Sequence, residues 1–274
     1  MGANRFSTDG QLGTHIGLTM EELRDQAGIE IVSGAVTGQA VVHKFGFGTV
    51  GTSFVPVSNE LVYQTPTTAT ALEFLSSDTN DTSAGSGARE VTVVGLDANW
   101  AEVTQTVVTN GTTPVALGTS LIRLYRWYVS SSGTYATAAA GSHAGELKIR
   151  VASAGADWST IPFSPFPTGQ SLIGAYTVPT GKTGYILSQH IHVDSTKSVD
   201  LLFFKRNNAD DVATPYSGAM RVLNQFIGIS GDADFHPETP INGLVGPCDV
   251  GFMAKVTSNT ADVSVDFEIL LIDD

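Results

Sequence analysis

With 274 residues, the chain is long enough to bury one large β domain or two small ones. Its net charge of −13, with only 14 Lys and Arg, excludes direct nucleic-acid binding, which needs clustered basic side chains to release phosphate counterions. A single cysteine, Cys248, excludes an intrachain disulfide, and no run approaches the roughly 18 apolar residues of a membrane span, so a soluble protein folded in a reducing cytoplasm, without a signal peptide, is expected.

Residues 1–14 have almost no apolar periodicity and read as an extended arm. Leu18 to Ala27 is the one convincing helix: Thr19 caps it, Glu22 completes a capping box, and Gly28 ends it. Leu18 and Leu23 give it an apolar side, suited either to reaching a neighbouring subunit or to plugging the end of the chain's own body. From Ile29 onward the pattern is strand after strand. Ile29 to Val36 and Gln39 to Phe47 are separated by a Thr37-Gly38 turn, and Phe54 to Val57, Leu61 to Tyr63 and Ala69 to Leu75 follow. Ser76 to Gly87 is a cluster of turn formers and reads as a solvated loop. Glu90 to Val94 and Ala101 to Thr109 flank a turn from Leu96 to Trp100, and Asn110-Gly111 is the strongest hairpin pattern in the chain.

Leu121 to Val129 is aromatic-rich. Alternation puts Tyr125, Trp127 and Val129 on one face and Leu124, Arg126 and Tyr128 on the other. Ser130 to Ser142 is a loop, and Leu147 to Val151 closes this half. Ile161 to Thr168, rich in proline, reads as a crossing between halves. Beyond it come Ser171 to Val178, Thr183 to Val193, Val199 to Lys205, Arg221 to Ile229, Val250 to Val256 and Val263 to Ile272. So many closely spaced strands predict an all-β fold, an antiparallel sandwich of jelly-roll type or two stacked sandwiches. The expected organisation is an arm with helix over 1–28, a first half over 29–160 and a second over 161–274.

No residue pattern selects a reaction or a cofactor. There is no Gly-x-Ser-x-Gly elbow, and nothing around Cys248 marks a nucleophile. Gly46-Phe-Gly48-Thr-Val-Gly51 has dinucleotide-loop spacing but follows no βα pattern. Asp78, Asn80 and Asp81 lack EF-hand spacing and read as solvated. His190, His192 and Asp194 alternate onto one strand face. With His236 they form the only arrangement resembling a metal site, although a solvated face or a pH-sensitive subunit contact explains them as well. Exposed aromatics among Trp100, Tyr125, Trp127, Tyr128 and Trp158 could stack on sugars; a strand with one core face and one interface face is the favoured reading.

Gly85-Ser-Gly-Ala-Arg89 before a strand, Gly95-Leu-Asp-Ala-Asn-Trp100, Asn110-Gly111-Thr112 and Leu121 to Tyr128 together resemble a family of virion structural proteins of tailed bacteriophages, common in phages of aquatic bacteria. Tyr176-Thr-Val-Pro-Thr-Gly-Lys182 is similar to a turn in the same group. The resemblance is clearest from Thr65 to Val129, weakens towards Val193, and leaves residues 1–27 outside. It implies a virion component. Joined to a neutral β-rich body with an arm, it leads to an expected capsid decoration (cement) protein or head-fibre base. Such a protein would be non-enzymatic and homotrimeric, would sit on the major capsid protein at the capsid surface, and would assemble in the host cytoplasm without cofactor, nucleic acid or membrane. A tail or fibre component and a carbohydrate- or receptor-binding module are the alternatives. The interface candidates are Leu18, Leu23, Tyr125, Trp127, His190 and His192.

Overall fold

The computed structural model describes residues 3–6, 12–15, 28–133, 142–164, 168–207, 209, 220–237 and 243–274. Almost everything in it is antiparallel β-sheet, joined by one short helix, α1, over 28–32. The N-terminal strands are β1 (Ala3–Phe6), β2 (Leu12–His15), β3 (Gln39–Val50), β4 (Val55–Pro56), β5 (Leu72–Ser76) and β6 (Ala88–Leu96). Next come β7 (Glu102–Val108), β8 (Val115–Ala116), β9 (Arg123–Ser132), β10 (Leu147–Val151), β11 (Asp157–Ile161) and β12 (Ala175–Val178). The chain ends with β13 (Lys182–Val193), β14 (Val199–Asn207), β15 (Met220–Ile229), β16 (Gly231–Phe235), β17 (Leu244–Val245), β18 (Cys248–Val256) and β19 (Ala261–Asp273).

The expected strand from Ile29 to Val36 is replaced by α1, which a later glycine ends. That glycine is Gly34: at φ +77° its N–H bonds the Ile31 carbonyl, while Ala35 N–H reaches back to Glu30. That pair of bonds is the glycine-terminated helix end that a β-branched sequence does not advertise. The helix predicted at Leu18 to Ala27 lies outside the described residues, as do Leu18 and Leu23.

Four larger sheets carry the body. Sheet I runs β16-β13-β19-β3 with β17 beside β13; sheet II runs β12-β18-β14-β15 with β4 beside β18. Sheet III is β11-β10-β5-β8 and sheet IV is β7-β6-β9. They read as a four-bladed, propeller-like arrangement rather than the jelly roll expected. β3 and β4 pair with β19 and β18 from the far end of the chain, and sheets III and IV are built from the stretch between.

Two hydrophobic cores result. Sheets I and II enclose the first, where the rings of Phe203, Phe252 and Phe267 stand 4.7–6.0 Å apart. Sheets III and IV enclose the second, around Phe74, Val91, Trp127 and Ile149. β3 must pass close to the chain at Gly174: a Cβ on Gly46 would sit 2.2 Å from the Gly174 nitrogen and one on Gly48 2.6 Å from the Ser58 carbonyl oxygen, so these two glycines of the dinucleotide-like spacing serve packing. Asn110-Gly111 is a turn with Gly111 at φ +59°, but it hands the chain from sheet IV to sheet III instead of closing a hairpin.

β9 joins the two cores through a bulge. Val94 pairs with Arg126 and Gly95 with Leu124, leaving Tyr125 as the extra residue. The bulge overturns simple alternation: Leu124, Trp127 and Val129 face the second core, while Ile122 and Tyr125 face the first. Arg123, fully buried, donates through Nε to Asp249 on β18 at 2.8 Å. Asp249 also accepts from Arg206 Nε at 2.9 Å and Thr177 Oγ1 at 2.6 Å, and Trp100 lies 4.8 Å above the Arg123 guanidinium. A fully buried ionic group thus clamps sheet IV to sheet II.

Candidate functional site

The four interface candidates among the described residues do not converge. Trp127 is completely buried, its indole N–H donating to Ser159 Oγ at 2.8 Å and its ring set edge-on to Phe74. Tyr125 is buried against Tyr176 at 4.7 Å, and its hydroxyl donates to Glu102. Both are therefore internal rather than interface residues, because each side of β9 has a core of its own. Trp158 is buried as well, and Trp100 is half-covered by its stacking on Arg123.

His190 and His192 do reach solvent, on the outer face of sheet I. Register builds what they meet: His190 lies opposite Asp234 on β16 and Asp266 on β19, while His192 lies opposite Asp232 and Ser264. His190 Nδ1 is 2.6 Å from Asp234 and His192 Nδ1 is 2.5 Å from Asp232. His43 on β3 approaches Asp266 at 3.7 Å, and the His236 ring stands 5.3 Å from that of His190. With Ser188 and Glu268 these residues line a shallow groove of about 570 Å³. The hydrogen bond to Asp234, helped by Asp266, holds the His190 imidazolium above its ordinary range, against a small opposing effect of burial. His190 and His192 are each matched to a carboxylate on β16 and His43 approaches one on β19, while His236 packs against His190, and no group of three or more ligand side chains is arranged to hold a metal ion among the described residues. Asp194 stands outside this face, bonded to Thr196 in the following turn.

The second feature escaped sequence reading because β16 was not recognised as a strand. β15 ends sheet II and β16 ends sheet I, and only Ser230 separates them, so the chain turns from one sheet to the other along an edge that no other described strand covers. That edge is apolar. Ile227 is 70% exposed, Val222 48% and Phe235 36%, with Phe226 and Phe235 in ring contact beneath. An unpaired strand edge bearing exposed aliphatic side chains is a ready template for another chain, and proteins that remain monomeric blunt it with charge, proline or a covering loop. Here the charge lies on Asp232 and Asp234, next to the histidine face, and on the exposed Arg221 at the start of β15.

The remaining candidates have structural roles. Cys248 is buried and its thiol is pushed up to about 12, chiefly by burial, which leaves it a poor nucleophile. Asp81, read as solvated, is fully buried: it accepts from Ser76 Oγ at 2.5 Å and from the backbone N–H groups of Ala88, Ala144 and Gly145 at 2.7, 2.8 and 2.9 Å. Those bonds fasten two loops together and leave nothing to offer a cation. No helix among the described residues is long and apolar enough to cross a membrane.

No family model matches the chain, and no curated protein does. Among solved structures it is similar to one described as the structure of infectious bursal disease virus Gt strain. The identity is 10%, the TM-score 0.26, and the match covers 86% of this chain and 73% of the other. The Gx strain of the same virus gives 9% identity and a TM-score of 0.24 over 86% and 72%. An Arthrobacter globiformis T6 isomalto-dextranase complexed with panose gives 10% identity and a TM-score of 0.17 over 76% of this chain and 33% of that one. Scores this low do not establish a common fold.

Proposed function

We propose that this chain is a non-enzymatic virion structural protein: a capsid decoration, or cement, protein that self-associates as a homotrimer and binds the major capsid protein at the surface of the phage head. The observation that carries the reading is the β15–β16 edge, which no other described strand covers and on which Val222, Ile227 and Phe235 are exposed. The motif resemblance to tailed-phage virion proteins supplies the setting. In a ring, the edge of one copy meets a different surface of the next, a heterologous contact that closes after three copies. Stabilisation is by mass action, since contacts present only in the assembled shell oppose the pressure of packaged DNA. The test is co-sedimentation with empty shells of the major capsid protein. The wild-type chain is expected to pellet with shells and raise their disruption temperature, whereas a protein that stays in the supernatant at every shell concentration contradicts the proposal.

A further inference from the structure

We propose that the groove between the free edge of β3 and the adjoining face of sheet IV binds the carboxylate of an acidic saccharide, with Lys44 and Arg126 holding the charged group. The groove encloses about 820 Å³ where sheet I meets sheet IV, the kind of crevice between packed units in which small-molecule sites concentrate. Lys44 lines it from β3 and is 4% exposed. Among the described residues its ammonium has no carboxylate partner: it donates to the Tyr125 carbonyl and lies 5.6 Å from the Tyr125 ring centroid. The neighbouring charge is a second cation, Arg126, exposed on the groove wall with its guanidinium 5.4 Å above the half-exposed Tyr128 ring.

A buried ammonium beside another cation is costly unless an anion completes the site. A bound carboxylate supplies that charge, and Arg126 can meet it in the bidentate geometry that guanidinium favours. The rest of the lining suits sugar hydroxyls: Glu102 as acceptor, and Thr104, Gln170 and Ser171 as mixed donors and acceptors. Tyr128 offers a ring at the rim, which separates this groove from the histidine face of sheet I, where His190 and His192 are already paired with Asp234 and Asp232.

Burial, aided by Arg126, lowers the Lys44 ammonium to about 7. The other ionisable groups facing it are Glu102 from β7, Tyr125 and Tyr128 from β9, Tyr176 from β12, and His43 on its own strand. An anion restores the charged form, so binding takes up a proton and weakens as pH rises from about 6 to about 9.

The experiment is calorimetric titration of the full chain with a glucuronic acid–containing disaccharide and with its neutral, glucose-containing counterpart. The acidic sugar is expected to bind and the neutral one to bind at least about tenfold more weakly, the value of one lost charge-assisted contact. Arg126→Gln, on an exposed side chain, and Lys44→Met, which keeps the buried volume, are each expected to reduce acidic-sugar binding by a similar factor while the thermal midpoint holds or rises. Equal binding of both sugars, binding of neither at millimolar concentration, or unchanged binding by Arg126→Gln overturns the proposal. Because the readout is sugar binding by the chain in solution, it is independent of whether the chain attaches to shells.

Discussion

Asp249 faces two guanidinium groups, those of Arg123 and Arg206, in a site with no solvent exposure on any of the three. Removing its charge leaves two cations buried. Asp249→Asn is therefore expected to lower unfolding free energy by about 3–5 kcal/mol, read as a lower urea midpoint, with sheet II and sheet IV losing their clamp together. Lys44 acts in the opposite sense. Its folded-state value of about 7 lies below that of the unfolded chain, about 10.4, so the unfolded state holds the extra proton between them and stability rises with pH across that window. Between pH 7 and 9 the wild-type thermal midpoint should climb and that of Lys44→Met should stay flatter; parallel curves would show that Lys44 is not buried as described. On the outer face, His190 is raised by Asp234, so the contribution of that pair is present below the unfolded value and lost as pH rises through the folded one. Asp234→Asn should move the His190 NMR titration to lower pH and leave that of His143 in place.

At the level of elements, the strands were legible because period-2 alternation is local, whereas their partners were not. β3 pairs with β19 more than two hundred residues away, a choice made by packing rather than by any neighbouring residue. The Tyr125 bulge was equally invisible. One unpaired residue in β9 moves Tyr125 to the first core and groups Leu124 with Trp127, so two aromatics read as interface residues became core. The histidines were found by their spacing, but their carboxylates lie on β16, about forty residues on, in a segment whose polar composition hid a strand. Asp81 gives the clearest example of a loop residue doing core work: Asp81→Ala frees the donors of Ser76, Ala88, Ala144 and Gly145 and should cost about 2–4 kcal/mol, since buried donors lose their acceptor together. Faster proteolysis near residues 76–88 at an unchanged global fold would be its signature.

For the whole molecule, the described residues form four sheets with an apolar stretch left uncovered along β15 and β16. Four sheets satisfy one another around two cores, and β15 and β16 leave an apolar edge on both five-stranded sheets at once. Self-association through that edge is the central claim, and sedimentation velocity of the purified chain tests it most directly, with Val222→Ser/Ile227→Ser alongside the wild type. Both side chains are about half exposed or more, so the double variant should fold normally. The account predicts a wild-type species of three times the chain mass and a folded monomer for the variant. A wild-type monomer, or a trimer indifferent to the two substitutions, would contradict it.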